Sequence, residues 1–258
     1  MAHAPIALVV ALAQERRALE RSLESVLHWW AEEFRAVSGR LGGQAVVLIQ
    51  AGVGQERTHR ALLTTSRWYS IRAAWSLGFA GGLAKLLNIG DLVFPSVVLK
   101  DDGLSGQVLH GAPVRATVAS ALEAAGISVH EGPLLSVNDP LRTPEAKRAA
   151  HQRTGAVAVD MEAAGVAVAA QHLGIPWLAL KSVVDPVDEP VPDFLAGCTT
   201  ERGDLHWRSL VWSVAASGER RRALGKLGRA SHQAALGLRR ALEVACRPGC
   251  LDACDPVQ

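Results

Sequence analysis

The sequence predicts an α/β protein: one three-layer domain whose central sheet is twisted, mostly parallel but mixed, and flanked by helices. Short apolar runs typical of buried strands alternate along the chain with segments of helical apolar spacing. Two of these runs, Ala156–Val159 and the run after Pro176, are separated by a helix of small residues, and they lead into Asp160 and Asp185 respectively. Because parallel sheets bind ligands beyond the carboxyl ends of their strands, the two acids also indicate where a site would lie.

Composition is compatible with one core and a small partner. The 258 residues are 49% hydrophobic and carry a formal net charge of only +2, which gives no electrostatic case for nucleic acid. No apolar run reaches the roughly 18 residues of a membrane-spanning helix. The apolar N-terminal run ends in Ala11-Leu12-Ala13, as a signal peptide can, but no basic segment precedes it. We interpret this run as a strand and expect a cytoplasmic protein.

The first half of the chain divides at glycine-containing turns. Leu19, Leu23, Val26, Leu27 and Trp30 would share one face of a helix that begins at Glu15. The predicted elements are strand Ile6–Ala13, helix Glu15–Trp30, turn Gly39–Gly43, strand Ala45–Gln50, a helix ending near Ser70, strand Ile71–Leu77, the glycine turn Gly78–Gly82, turn Leu83–Leu87 and strand Leu92–Leu99.

The second half ends in a long helix. Thr143 has the side chain of an N-cap, with Pro144 at the first helical position and Glu145 in the first turn. The predicted elements are loop Lys100–Pro113, helix Val114–Ala125, extended Ser128–Val137, turn Asn138–Pro140, a helix ending near Gln152, the two strands and small-residue helix described above, loop Asp185–Arg208 and helix Arg220–Ala245. Residues 1–245 are thus predicted to be one catalytic domain, and residues 246–258 a flexible tail containing cysteines.

Glycines at the end of a strand allow close approach of a ligand. Gly78 to Gly82 could present backbone N–H groups to a ribose or a phosphate, although such a cluster is equally typical of a tight turn. It matches neither a P-loop nor the dinucleotide-binding pattern. The histidines have no H-E-x-x-H spacing and there is no G-x-S-x-G, so we expect no metal, no cofactor and no serine-hydrolase chemistry.

Four further side chains could carry chemistry. Glu162 could accept hydrogen bonds from vicinal hydroxyls while Met161 covers the apolar face of a sugar, or it could simply stabilise the first turn of the next helix. Asp185 is either a general acid at the mouth of the sheet or a turn-initiating residue before Pro186. Lys181, four residues earlier in the same strand, can face the same side as Asp185.

The order of these motifs resembles a known family. Gly78–Leu83, Ile89-Gly90-Asp91, Val159–Ala163 and Lys181–Asp185 together resemble the nucleoside phosphorylase and nucleosidase superfamily, in the branch of methylthioadenosine/S-adenosylhomocysteine nucleosidases. Ser136-Val137, Glu145–Arg148 and Thr154–Asp188 resemble more closely the hopanoid-associated members, which remove adenine from adenosylhopane. The resemblance covers about residues 6–188 and implies a nucleoside phosphorylase-like fold.

The resemblance also implies roles. Glu15 corresponds to the acid that activates water, Glu162 to the group that holds the 2′ and 3′ hydroxyls, and Asp185 to the acid that protonates the purine. It implies catalytic residues Glu15 and Asp185, and substrate-binding residues Gly78, Phe79, Ala80, Gly81, Val159, Met161, Glu162, Lys181, Asn138 and Pro140. We therefore expect an N-ribosyl hydrolase whose small-molecule substrate is an adenosine derivative with an apolar 5′ substituent, from which it releases adenine.

Some positions depart from the family pattern. Phe79 and Val184 replace serines, Lys181 replaces an arginine, and Pro140 lies near the position of an aromatic residue that packs on adenine. The phosphorylases bind phosphate through an arginine before the glycine turn, where this chain has Trp75-Ser76-Leu77. Water is thus the expected nucleophile, while Arg16 or Arg17 leaves phosphorolysis open. A non-catalytic nucleoside-binding relative is the other alternative.

Partners beyond the substrate follow from weaker signals. The basic amphipathic helix Arg220–Ala245 either packs its apolar stripe on the domain, which we favour, or contacts an anionic membrane surface. Family resemblance implies a homodimer. His28-Trp29-Trp30, Trp68 and Trp75 form core or oligomer contacts, or line an apolar channel.

Overall fold

The computed structural model describes residues 4–31, 33–101, 106–191 and 218–250. Its helices and strands are β1 Ile6–Val10, α1 Ala13–Glu20, β2 Glu24–Trp30, β3 Arg35–Leu41, β4 Gln44–Gln50, α2 Gln55–Ser66, β5 Ala73–Gly82, β6 Leu92–Val93, β7 Val97–Asp101, β8 Gly106–His110, α3 Arg115–Ala124, β9 Val129–His130, β10 Leu134–Ser136, α4 Pro144–Thr154, β11 Ala158–Asp160, α5 Ala163–Leu173, β12 Trp177–Asp185 and α6 Gly218–Ala245.

The strands of the described residues form one mixed sheet. Its order is β2-β3-β4-β1-β5-β11-β10-β7-β8, with β12 paired to β5 and β6, and β9 paired to β6. Strand β1 lies between β4 and β5, parallel to both, and β12 runs parallel to β5. The end of β5 pairs antiparallel with β11, through Gly81 and Gly82. The mixed α/β sheet predicted from the sequence is therefore confirmed.

Helices cover both faces of the sheet, which gives three layers. On one face Leu19 of α1, Leu122 of α3 and Leu242 of α6 share a buried cluster with the strands. On the other face the cluster includes Leu62 of α2 and the small residues of α5. The apolar stripe of α6 is thus packed on the sheet, as favoured by the sequence. Among the described helices, none has both the length and the apolar composition needed to cross a membrane.

The structure corrects the predicted helix Glu15–Trp30. Helix α1 ends at Glu20, and Glu24–Trp30 is an edge strand paired antiparallel with β3. The apolar residues that suggested a continuing helix face are largely exposed: Leu27 is 65% and Trp30 74% exposed. Ser25 has a positive φ of 53°, and the register shifts between Glu24 and Leu27. This irregularity breaks the alternation by which a strand is recognised.

Other predicted boundaries also move. The segment Lys100–Pro113, predicted as a loop, contains strand β8, which pairs antiparallel with β7. In β8, Leu109 is buried and the adjacent Val108 is exposed. The predicted strand Leu92–Leu99 is divided into β6 and β7, with Pro95 between them. Gly39 lies within β3, so the turn there is only Gly42-Gly43, and the glycines Gly78–Gly82 belong to β5 itself.

The first residue of the predicted flexible tail, Cys246, is packed in the core rather than exposed. Cys246 is fully buried in the cluster that contains α6, and Cys250 packs against that cluster. A Cβ at Gly42 would lie 2.6 Å from the Cys246 carbonyl oxygen, so the backbone after α6 packs closely against the β3–β4 turn. Residues 251–258 and most of the predicted loop Asp185–Arg208 lie outside the described residues.

Candidate active site

Glu15 is the first of several buried acids near the carboxyl ends of the strands. It lies in the first turn of α1, directly after β1, and is 2% exposed. One carboxylate oxygen accepts hydrogen bonds from the N–H groups of Ala11 (3.0 Å) and Leu12 (2.7 Å), and the other from Phe79 (2.8 Å). Burial raises the pKa of Glu15, although these N–H groups and Lys181 oppose the rise. The carboxylate is fixed and has an increased affinity for a proton.

A glycine makes this arrangement possible. Gly78 has a φ of 139°, and a Cβ on it would lie 2.6 Å from Oε1 of Glu15. A side chain at this position would therefore be strained and would also collide with the acid. The first glycine of the predicted turn brings strand β5 into contact with Glu15.

Glu162 lies between β11 and α5 and is 8% exposed. Oε1 accepts a hydrogen bond from the Gly54 N–H (3.1 Å) and Oε2 from the Met161 N–H (3.2 Å). Burial raises the pKa of Glu162 to about 7; Lys181 opposes the rise, while Asp160 and Glu15 add to it. Glu15 and Glu162 thus act on each other electrostatically and share a cation, Lys181.

Lys181 neutralises this acidic group. It is 1% exposed, and its Nζ lies 2.8 Å from Oδ2 of Asp160, which also accepts the Ala163 N–H at the start of α5 (2.9 Å). Burial lowers the pKa of Lys181, but Asp160, Glu162 and Glu15 outweigh it and the net shift is upward. The sequence had suggested Asp160 only as an acid at the end of a strand, so its ion pair with Lys181 was missed; a lysine and an acid on separate strands carry no spacing signal.

Asp185 ends β12 and has a different partner. Its side chain is 18% exposed, and Oδ2 accepts a hydrogen bond from Nζ of Lys147 at 2.5 Å. Burial raises the pKa of Asp185 to about 6, even though Lys147 lowers it. Lys147, fully buried on α4, was not among the predicted site residues. Its motif Glu145–Arg148 was noticed only as part of the family resemblance.

Strand β5 brings the two groups of acids together. A Cβ on Gly81 would lie 3.0 Å from Oδ2 of Asp185 and 3.2 Å from Cγ1 of Val159, while Gly78 contacts Glu15. Gly78 and Gly81 are three residues apart, which corresponds to about 10 Å along a strand. Glu15 and Asp185 therefore both lie against the last residues of β5, and Glu162 interacts electrostatically with Glu15.

The remaining predicted residues occupy two kinds of position. Ala80 and Val159 are buried, and Phe79 and Met161 are half-buried beside the acids. Asn138 and Pro140 are exposed after β10, whose Ser136 pairs with Asp160 of β11. Among the described residues, no group of three or more His, Cys, Asp or Glu side chains could hold a metal ion.

An aromatic pocket lies next to α1. It has a volume of about 340 Å³ and is lined by Arg16, His28, Trp29, Trp30, Phe34, Arg35, Ala36 and Val37. Trp29 stacks on Tyr69 and contacts Trp68 edge-on, whereas Trp75 is fully buried in the core. Nε of Arg16 donates to Oε1 of Gln50 (2.9 Å) at the carboxyl end of β4. Nη1 of Arg16 forms an ion pair with Glu20.

Comparisons with known proteins agree with this architecture. The family model described as the phosphorylase superfamily matches residues 5–205. The 5′-methylthioadenosine/S-adenosylhomocysteine nucleosidase of Anoxybacillus flavithermus is 25% identical over 199 residues, which cover 70% of this chain and 84% of that protein. The enzyme of the same name from Shewanella piezotolerans is 26% identical over 209 residues, covering 73% and 90%.

Solved structures show the same fold. The nucleosidase of that name from Neisseria meningitidis, in complex with methylthio-immucillin-A, has a TM-score of 0.75 at 21% identity, covering 94% of this chain and 98% of that one. Futalosine hydrolase of Helicobacter pylori has a TM-score of 0.74 at 17% identity, covering 93% and 96%. At such identities the similarity extends to the fold alone.

Proposed function

The chain belongs to the phosphorylase superfamily, and on this premise we propose that it is an N-ribosyl hydrolase releasing adenine from an adenosine derivative with an apolar 5′ substituent. The observation that carries the proposal is that two buried acids meet the end of β5, Glu15 against Gly78 and Asp185 against Gly81, while Glu162 interacts electrostatically with Glu15 and with Lys181. The related proteins named as methylthioadenosine/S-adenosylhomocysteine nucleosidases support the same class of reaction.

The proposed reaction needs an acid at the base and a nucleophile at the sugar. Asp185 donates a proton to the purine, the bond between C1′ and the base nitrogen breaks, and its electron pair leaves with adenine. Water attacks C1′ and gives up a proton to Glu15. The raised pKa of Asp185, about 6, keeps part of it protonated near neutral pH, and the raised pKa of Glu15 makes it a stronger base.

Glu162 is the group proposed to hold the ribose. The carboxylate of Glu162 is held by the N–H groups of Gly54 and Met161 and keeps lone pairs for the 2′ and 3′ hydroxyls. In its ionised form it also stabilises the positive charge that develops on the sugar as the bond breaks. Half-buried Met161 and Phe79 supply the adjoining apolar surface.

Two observations support finer choices within this proposal. Arg16 is already hydrogen-bonded to Gln50 and Glu20, and Lys181 is paired with Asp160, so both cations are engaged in contacts within the protein. This favours water over phosphate as the nucleophile. The aromatic pocket beside α1 supports an apolar 5′ substituent, because Trp29, Trp30 and Phe34 offer apolar surface close to the helix that bears Glu15.

The function is tested by following free adenine from methylthioadenosine and from adenosylhopane, with and without phosphate. We expect adenine and a free sugar in phosphate-free buffer. A sugar 1-phosphate formed only with phosphate would show a phosphorylase, and no adenine from either substrate under either condition would reject the proposal.

The role of Asp185 is tested separately by Asp185→Asn. We expect turnover to fall by about 10²- to 10⁴-fold while binding of an adenine nucleoside, measured by calorimetry, persists. Asp188→Asn is the matched control, because Asp188 is exposed and paired with Arg148. Full turnover by Asp185→Asn would contradict the assignment; no turnover by wild type, with binding intact, would favour a non-catalytic relative.

A further inference from the structure

Lys147 makes an unusual set of contacts around Asp185. Its side chain is fully buried, and Nζ lies 2.5 Å from Oδ2 of Asp185. The same Nζ also donates to the carbonyl oxygens of Asp185 (3.3 Å), Pro186 (3.0 Å) and Glu189 (2.9 Å). Three ammonium hydrogens therefore serve four acceptors, all of them in the segment that carries the acid. A buried ammonium is costly unless it is paired or hydrogen-bonded, so Lys147 depends on these four acceptors.

One other charged group affects the pKa of Asp185, less than Lys147 does. Glu189 follows in the same segment and raises the pKa of Asp185, but Glu189 is itself paired with Lys226 of α6 at 2.7 Å. On the sheet side, Oδ2 of Asp185 lies close to Gly81 of β5, which also approaches the apolar Val159 of β11. Within the described part of the chain, Lys147 is thus the cation in direct contact with Asp185.

Helix α4 is built to hold Lys147 in place. The Thr143 side chain accepts the Ala146 N–H (3.2 Å) and Pro144 begins the helix, which fixes the first turn just before Lys147. One more contact joins the residues before α4 to the segment after β12: the Val191 N–H donates to the Arg142 carbonyl oxygen (2.8 Å). The ammonium therefore approaches Asp185 from a rigid element rather than from a loop.

We propose that Lys147 is a positioning residue for the general acid: by occupying Oδ2 of Asp185 it leaves the transferable proton on Oδ1 and stabilises the carboxylate that remains when the proton moves to the purine. The inference rests on the proposed function. The proton passes from Oδ1 to a purine nitrogen as the bond to C1′ breaks; Lys147 keeps all three of its hydrogens.

The stabilisation is larger in the transition state than in the ground state. Before reaction Lys147 faces a neutral carboxylic acid, whereas afterwards it faces a carboxylate at hydrogen-bond distance. In a buried site this difference is large, because little water screens the two charges. Lys147 thus makes Asp185 a stronger acid than burial alone would allow, while burial keeps it protonated often enough to act.

The test compares Lys147→Gln and Lys147→Met with Arg148→Gln. Glutamine keeps N–H donors for the carbonyl oxygens but removes the charge, and Arg148 is the neighbouring, partly exposed residue on α4. We expect both Lys147 variants to lose about 10- to 100-fold in kcat, with KM changed much less. The basic limb of kcat/KM should move to higher pH by about 1 to 3 units, because an acid without its cation loses its proton later. Arg148→Gln should keep the wild-type profile.

A purely structural role predicts a different pattern. If Lys147 acts through Asp185, adding Lys147→Gln to Asp185→Asn should change the residual turnover by less than about threefold, since the two residues act as one unit. An unmoved basic limb, or an equal loss in both backgrounds, would overturn the proposal.

A measurement that needs no turnover separates this inference from the proposed function. The ¹³C signal of the Asp185 carboxyl can be titrated in wild type, Lys147→Gln and Arg148→Gln. We expect a higher midpoint only in Lys147→Gln, and in both wild type and Arg148→Gln the Lys147 ammonium ¹⁵N signal should follow the titration of Asp185. If these signals do not respond, the inference fails even where adenine is released; if wild type releases no adenine but the signals respond, only the proposed function fails.

Discussion

Single atoms decide the geometry of this site, and Gly81 provides the clearest case. A methyl group there would lie 3.0 Å from Oδ2 of Asp185 and 3.2 Å from Val159, so one of them must move. Because Asp185 must point at the substrate, we expect Gly81→Ala to lower kcat by on the order of 10- to 100-fold with little loss of thermal stability. Gly82→Ala is the matched control, since its nearest neighbour would lie at 3.4 Å, an ordinary contact. Equal kinetics for the two variants would mean that Asp185 tolerates displacement.

At the residue level, sequence could locate the acids but not their partners. Glu15, Glu162 and Asp185 each follow a strand, and such a position is visible in a single apolar run. The site roles of Lys147 and Lys181 are visible only from their ion pairs with Asp185 and Asp160 respectively. These partners lie 38 and 21 residues away along the chain. A contact at such a separation has no periodicity or spacing from which it could be predicted.

The contact between helices α2 and α5 depends on Gly165. A Cβ on Gly165 would lie 2.1 Å from the Gln55 carbonyl oxygen and 2.4 Å from Oγ1 of Thr58, so the helices touch backbone to backbone. We expect Gly165→Ala to reduce the free energy of unfolding by about 1 to 3 kcal/mol. Separating the helices should also weaken the contact between the Gly54 N–H and Glu162 at the start of α2. Nucleoside affinity should fall together with stability.

Denaturant unfolding and ligand titration of the same variant check both effects. Gly228→Ala on α6 is the control, because a Cβ there would meet nothing within 4 Å. That substitution should instead stabilise the protein by roughly 0.5 to 1 kcal/mol, since alanine favours a helix interior. A Gly165→Ala variant as stable as Gly228→Ala would contradict the close packing of α2 and α5.

Elements with local signals were predicted better than elements defined by their neighbours. Helix α4 carries its own start signal in Thr143 and Pro144, and the structure confirms the cap. Strand β2 has no such signal: its apolar residues are exposed at the sheet edge, and the shift after Glu24 conceals the alternation. The pairing of β5 with β1, β11 and β12 likewise depends on long-range contacts, which the sequence alone leaves open.

At the scale of the whole molecule, the buried acids of the proposed site reduce the stability of the fold near neutral pH. Burial raises the pKa of Glu15, that of Glu162 to about 7 and that of Asp185 to about 6, so the folded chain holds protons that the unfolded chain releases. Stability linked to such groups is fully present below their unfolded pKa values, near 4 to 4.5, and is lost as the pH rises through the folded values. The protein should therefore become less stable from about pH 4.5 to pH 7.

Replacing one of these acids by its neutral isostere should flatten this dependence. Between pH 4.5 and about 7, Glu162 is expected to contribute a fall of at most about 1 kcal/mol per pH unit in the free energy of unfolding. Glu162→Gln holds no titrating proton, so its curve should be shallower by up to that amount, measured by urea unfolding at several pH values. Glu123→Gln, at an exposed position on α3, should keep the wild-type curve. If the Glu162→Gln and wild-type curves run parallel, Glu162 is already ionised throughout this range. If the curve flattens while affinity for a nucleoside drops, then the same buried carboxylate that weakens the fold at neutral pH is the one that holds the ribose.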